Sequence, residues 1–250
     1  MAPLSSVDKP KQFHALADNN LSLLQQTILR VADDSHFVPP AIFGNVRHAT
    51  HIREQVAGVK CVPSITFLEP VMRNTAAPIL LSAFYAQNNG FRYLLVQPSD
   101  HCINSVGAFT ANVLTALNDA NIISYFGITP DRAYSGYGYI QEGAQGIMFH
   151  EKPDPDKAAF LISQGALWNS GIVLLEVSGF LKEAACVMSD LFEALSNDGF
   201  DAYSRIASLS FDKAFCERTL EGRLYKADFD WMDMGSWDAL CTLISRESVA

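Results

Sequence analysis

The chain predicts an α/β fold with a mostly parallel sheet covered on both faces, and three observations lead there. Helix-period and strand-like apolar runs alternate along the chain. Ionisable and amide side chains stand beside Gly, Pro or strand ends, which is where α/β enzymes build their sites. The 250 residues, 49% hydrophobic and 18% charged, suffice for one large or two small domains with a real core.

Leu23, Leu24, Thr27, Ile28 and Val31 repeat at helical spacing within 22–31, and Pro39-Pro40 ends that region before an apolar run at 41–43. The alternation continues with 48–58 helical, 62–68 extended, 74–87 helical with Gly90 as its C-cap, and 93–97 a buried strand. Residues 106–117 read as a helix and 122–128 as a strand. From Gly136 the pattern changes, with YGYI and GIMFHE as two near-adjacent strands and 167–177 as a third. Short strands close in sequence predict an antiparallel or mixed section that walls one side of a pocket at the sheet's C-terminal edge. Residues 180–195 read as one amphipathic helix, 211–219 as another and 223–229 as a final strand. No repeat, low-complexity tract or linker interrupts 1–250.

No apolar run approaches the ~20 residues that span a bilayer, and Asp8, Lys9 and Lys11 follow Met1 without the apolar stretch of a signal peptide. The expectation is a cytoplasmic protein with no membrane partner. Five widely spaced cysteines without a CxxC pair (Cys61, Cys102, Cys186, Cys216, Cys241) read as buried free thiols rather than a disulfide framework or zinc knuckle. A net charge of −9 argues against nucleic acid as a partner. It leaves room for a small phosphorylated ligand, because a few local cations and a divalent metal outweigh the global sign.

Asp100 follows the apolar run YLLVQ, and Asp233 stands between Trp231 and Gly235 in a similar setting. Hard cations such as Mg²⁺ take oxygen ligands, usually one or two protein carboxylates plus phosphate oxygens, although each aspartate taken alone also reads as a turn former or cap. Lys11 in PKQF and Lys152 in HEKP each adjoin a proline that fixes the local backbone, and each taken alone reads as a solvated surface charge. Glu151 and Asn169 combine an acceptor with an amide that donates and accepts, the mixture sugar hydroxyls require; a surface Glu and a turn Asn are the plain alternatives. In SGYGYI the glycines, Gly138 among them, permit either close approach of backbone to a ligand or a tight turn. Glu69, Arg73, Asn74 and Thr75 cluster before a helix, where Asn74 or Thr75 would cap exposed N–H groups. Guanine offers two N–H donors to a carboxylate and O6 to an N–H donor, which suits Glu69 and Asn74. His101 reads as a helix-start residue rather than a general base, and no GxSxG elbow supports a serine triad.

The motifs PKQF, LEPVMRNTAAP, QPSDH, SGYGYI, HEKP, LWNSGI and DWMDMGSW, in that order, resemble the sugar-1-phosphate nucleotidyltransferases, and among them the guanylyl members that act on mannose 1-phosphate. The resemblance runs from about Pro3 to Leu240 and implies that 1–250 form one nucleotidyltransferase catalytic domain, incomplete at its N-terminus. It implies a three-layer α/β/α Rossmann-like nucleotide-diphospho-sugar transferase fold, in which mannose 1-phosphate attacks GTP to give GDP-mannose and pyrophosphate. Asp100 and Asp233 would then hold Mg²⁺, and Lys11 would meet the nucleotide phosphates. Glu69, Arg73, Asn74 and Ser99 would bind the nucleotide. Gly138, Glu151, Lys152, Asn169 and Asp212 would bind the sugar phosphate, in a pocket adjoining that of Glu69, Asn74 and Asp100. Asp212 falls on a family SIDYAxxE segment from which Phe211 and Lys213 depart. A homodimer is left open, and isomerase activity is not expected.

Members of that family open with a buried strand and a GGxGxRLWPLSR loop. Here only Pro3, Leu4 and Ser5 correspond to it, and Ser6 stands where the last Arg of the pattern would be. A mis-called start, a shortened expression product or a degenerate paralogue would each account for this. The expectation is poor turnover by this chain, with a non-catalytic nucleotide-sugar-binding or regulatory paralogue as the rival reading.

Overall fold

The computed structural model describes residues 5–16, 20–33, 35–119, 121–144, 146–235 and 241. They fall into two units, one drawn from Met1–Val71, Pro98–Val106 and Asp230–Ala250, the other from Met72–Gln97 and Gly107–Phe229.

In the first unit, Lys11–Phe13 form a single 3-10 turn behind Pro10, and helix α1 follows at Leu23–Arg30. The start of α1 is a capping box: Ser22 Oγ accepts from the Gln25 N–H at 3.1 Å, and the Ser22 N–H donates to Gln25 Oε1 at 3.0 Å. Ser22→Ala is expected to cost about 1 kcal/mol, read as a lowered urea midpoint at unchanged slope. Strand β1 (Ala41–Asn45) runs parallel to β2 (Ile65–Glu69), with helix α2 (Ala49–Ala57) between them in sequence. Leu24 and Ile28 of α1, Ile42 of β1 and Ile52 of α2 bury together around Phe13.

The second unit carries a six-stranded mixed sheet with helices α3 (Ala76–Asn88), α4 (from Val106, at the boundary, to Leu117), α5 (Pro155–Ser163), α6 (Val177–Val187) and α7 (Ser189–Asp198). Its long strand β8 (Leu167–Glu176) pairs antiparallel with β3 (Tyr93–Val96), β5 (Ile123–Ile128) and β6 (Tyr139–Gly143). Strand β6 pairs antiparallel with β7 (Gly146–His150), and β5 runs parallel to β9 (Arg223–Ala227). The expected α/β class with a mixed sheet stands, and antiparallel pairing supplies more of it than the strand–helix alternation implied. Along β8, Trp168, Ser170, Ile172 and Leu174 are buried on one face and Val173 and Leu175 on the other, as a sheet covered on both sides requires. Val173 and Leu175 join Leu80 of α3, Phe180 of α6 and Leu191 of α7 in the main core.

Three local expectations change. The helix expected over 180–195 is two, α6 and α7, broken at Met188 (φ −132°, ψ 50°). Phe180, Ala184, Met188, Leu191 and Leu195 keep helical spacing across the break and all face the core, so periodicity does not reveal it. The helix expected over 211–219 is a π-helical turn, Asp212–Cys216, closed by the Glu217 N–H donating to the Asp212 carbonyl at 2.8 Å. Helix α5 is additional to the expected elements, although Asp154 caps it through the Lys157 N–H and Pro155 opens it, a recognised start signal. The five cysteines are free, and only Cys102 and Cys216 are buried, whereas Cys61 is half-buried and Cys186 and Cys241 are exposed. Among the described residues no helix is long and apolar enough to cross a membrane.

Candidate active site

In the first unit, short strands β4 (His101–Cys102) and β10 (Met232–Asp233) pair antiparallel, placing Asp233 opposite His101. Asp100 sits in the turn just before β4, with Ser99 beside it. One cation joins the two aspartates: Lys11 Nζ lies 2.9 Å from Asp100 Oδ2 and 2.8 Å from Asp233 Oδ1. The lysine is aimed by its neighbours, since Pro10 precedes the turn and Phe13, buried at its other end, contacts the rings of His48 and His51. Burial alone would lower the Lys11 pKa, but the two carboxylates raise it above the ordinary value, so the ammonium persists at neutral pH. Burial works in the same way against the Asp100 carboxylate, and the Lys11 ammonium, through its charge and hydrogen bond, still holds its pKa below the usual range.

His101 is a correction. It is a buried strand residue, not a helix start, and its Nε2 lies 3.7 Å from Asp100 Oδ1 and 3.9 Å from Asp233 Oδ1. Trp231 Nε1–H donates to His101 Nδ1 at 3.1 Å, so the neutral ring carries its proton on Nε2, toward the carboxylates. Burial lowers the His101 pKa despite both aspartates, which favours that neutral form. Beneath it, the Arg30 guanidinium, almost fully buried and with its pKa lowered to about 10 by that burial, donates to the His101 carbonyl at 3.2 Å. Asp230 also has a role that its motif did not disclose. Its carboxylate accepts from the N–H groups of Asn104 and Ser105, tying the start of the DWMD segment to the residues after β4. The sequence signal was the spacing of Trp231 and Asp230 ahead of Asp233, readable only once β4 and β10 are paired. Pro3, Leu4, Ser236 and Trp237 lie outside the described residues.

Glu69, at the end of β2, is buried, and its backbone carbonyl accepts from Asn45 Nδ2 at 3.0 Å. The other residues expected at the nucleotide, Arg73 and Asn74, belong to the second unit. Arg73 is directed onto protein backbone there, with Nε donating to the Tyr203 carbonyl at 2.7 Å and Nη2 to the Ser204 carbonyl at 3.2 Å. Asn74 takes a left-handed φ of 64°, and its Oδ1 accepts from the Thr75 N–H at 2.9 Å. The Thr75 hydroxyl makes no cap within α3; it accepts from the Phe211 N–H at 2.8 Å.

Four residues of the expected sugar group do converge in the second unit. The Asn169 N–H donates to the Gly138 carbonyl at 2.8 Å, and Asn169 Nδ2 donates to Asp212 Oδ1 at 3.1 Å. A Cβ on Gly138 would stand 3.2 Å from Glu151 Oε2, so the glycine leaves the room in which that carboxylate lies. Asn169 Oδ1 accepts from the Gly171 N–H at 3.0 Å, so the plain turn role and the site role coexist in one side chain. Burial lifts the Asp212 pKa, with the nearby charge of Glu151 adding to it against hydrogen bonds from its backbone and Asn169. Lys152, at φ 40°, pairs with Glu151 at 3.0 Å in an exposed setting.

Chemically, the first unit offers two carboxylates around a fixed ammonium. The donor pair is all oxygen, which suits Mg²⁺, and the Lys11 ammonium shows that a cation is accommodated between them. Among the described residues no group of three His, Cys, Asp or Glu is arranged for a metal, so phosphate oxygens and water would complete such a coordination shell.

Residues 1–248 match the nucleotidyl transferase family. A mannose-1-phosphate guanylyltransferase of Escherichia coli is 34% identical, over 95% of this chain and 56% of its own length. The xanthan biosynthesis protein XanB of Xanthomonas campestris pv. campestris (strain B100) is 36% identical, over 98% of this chain and 57% of its own length. The chain thus spans little more than half the length of these curated relatives. The crystal structure of mannose-1-phosphate geranyltransferase from Thermus thermophilus superposes with a TM-score of 0.87 at 27% identity, covering 98% of this chain and 75% of that one. With the match running almost end to end and the ordered motifs falling into two defined clusters, the chain belongs to the nucleotidyl transferase family.

Proposed function

We propose that this chain carries the guanylyl-transfer chemistry of a mannose-1-phosphate guanylyltransferase. A phosphate oxygen of mannose 1-phosphate attacks the α-phosphorus of GTP, the bond to the β-phosphate oxygen breaks, and GDP-mannose and pyrophosphate form without a covalent enzyme intermediate. The observation that carries the reading is Lys11 held between Asp100 and Asp233. Attack of one phosphate on another brings like charges together, so a fixed cation beside a metal-binding carboxylate pair is the arrangement such a reaction needs. The choice of GTP and mannose 1-phosphate is supported by what a relative at 34% identity is named.

Asp100 and Asp233 would hold Mg²⁺, which when bound neutralises phosphate charge. Lys11 keeps the pair together and, in the presence of nucleotide, turns its ammonium to the phosphates. Ser99 sits beside Asp100 on the nucleotide side, and Glu69 reads the guanine. Glu151, Asn169 and Asp212 take the sugar hydroxyls, Gly138 gives them room, and Lys152 takes the sugar's phosphate. A cytoplasmic location fits a protein that draws on GTP. Pyrophosphate release from GTP should require both mannose 1-phosphate and Mg²⁺, and glucose 1-phosphate or UTP should substitute poorly. In a chain extended upstream by the strand and GGxGxR loop, calorimetric binding of GDP-mannose with no pyrophosphate release would favour the non-catalytic rival instead.

A further inference from the structure

We propose that Thr75 is a positioning residue for Asp212, so that the RNTA segment acts on the sugar side of the reaction through the backbone. The inference rests on the reading above for Asp212 as a sugar ligand.

The hydrogen bonds of RNTA converge on one stretch of chain. Arg73 binds the carbonyls of Tyr203 and Ser204, the Ala76 N–H donates to the Leu209 carbonyl at 3.1 Å, and the Thr75 hydroxyl accepts from the Phe211 N–H at 2.8 Å. The segment 203–211 is thereby held at both ends by anchors on residues 73–76. Its next residue is Asp212, the first of the π-helical turn and the partner of Asn169. Phe211, beside the Thr75 hydroxyl, is buried and stacks on Phe215, so the turn leaves a well-packed base. The turn's own closing bond runs from the Glu217 N–H to the Asp212 carbonyl, and the Thr75 hydroxyl holds the residue immediately before it. Loss of the anchor nearest to it would therefore let the Asp212 carboxylate drift from Asn169.

Thr75→Val keeps the shape and removes the acceptor, Thr75→Ala removes it without branching, and Thr75→Ser restores it. Two readouts separate the anchor from the sugar. The first is the titration of the Asp212 carboxyl, followed by carbon NMR. Its native environment combines burial, the Asn169 amide, the Glu151 carboxylate, Tyr125 of β5 and, from the turn itself, Cys216. Loss of the Asn169 amide, which holds this carboxyl down, should raise the titration further in Thr75→Val and Thr75→Ala, and Thr75→Ser should return it. The second is calorimetric affinity for mannose 1-phosphate, expected to weaken about tenfold in the first two variants while GTP affinity holds. In an Asp212→Asn background the same change should add little, since coupled residues are not additive. An unmoved Asp212 titration in Thr75→Val and Thr75→Ala, or full additivity with Asp212→Asn, would overturn the proposal. Should the titration move while Asp212→Asn leaves mannose 1-phosphate affinity intact, the anchor stands and the sugar role of Asp212 falls.

Discussion

Asp233→Asn is expected to reduce nucleotidyl transfer by roughly 10²–10³ with the fold intact, and Asp100→Asn to do the same. Each substitution keeps the shape of the side chain and removes half of the negative charge around the Lys11 ammonium. A neutral amide is a poor ligand for a hard divalent cation, and the ammonium, freed from one partner, would no longer be held in place. The two aspartates act as a unit, so the double variant should be little worse than either single one. The measurement is pyrophosphate release against Mg²⁺ concentration, with circular dichroism to confirm folding. Unchanged turnover in Asp233→Asn at every Mg²⁺ concentration would remove the metal assignment, leaving the lysine bridge as a purely structural ion pair.

The second large effect is expected at Lys152. Lys152→Ala should weaken mannose 1-phosphate binding by about 10- to 100-fold, the worth of hydrogen bonds to a charged group, and leave GTP binding unchanged. The ion pair with Glu151 does not account for retaining this residue, because more than half of each side chain is exposed and such pairs contribute little. The backbone is more telling. Lys152 precedes Pro153, a context that pushes a residue toward extended conformations, yet it takes a left-handed φ of 40°. Alanine would occupy the same conformation at similar strain, so the substitution removes the ammonium and little else. Equal loss of both ligands with the fold intact would show that the division of Lys152 from the nucleotide is wrong.

Much of the local structure was readable from residue order. Ser22 and Gln25 announce the start of α1, Pro39-Pro40 ends the preceding region before β1, and Gly90, at φ 73°, stands just past the end of α3 as a helix-terminating glycine should. These signals act over a few residues, so a single window contains them. The motif residues were legible as chemistry for the same reason: a carboxylate at the end of an apolar run, or a lysine beside a proline, is visible without knowing what it meets.

What each of them meets was a matter of distant pairing. Asp100 and Asp233 come together because β4 and β10 pair, and neither strand of two residues carries a periodicity that could announce it. His101 became part of that cluster for the same reason. Thr75 turns to Phe211 instead of capping α3, Arg73 turns to the carbonyls of Tyr203 and Ser204, and the break at Met188 hides inside an unbroken apolar rhythm. Short-range hydrogen bonding and apolar spacing settle which helix or strand forms. Partners far apart in the chain are chosen by the burial and backbone pairing of whole elements, and those exist only in the folded chain.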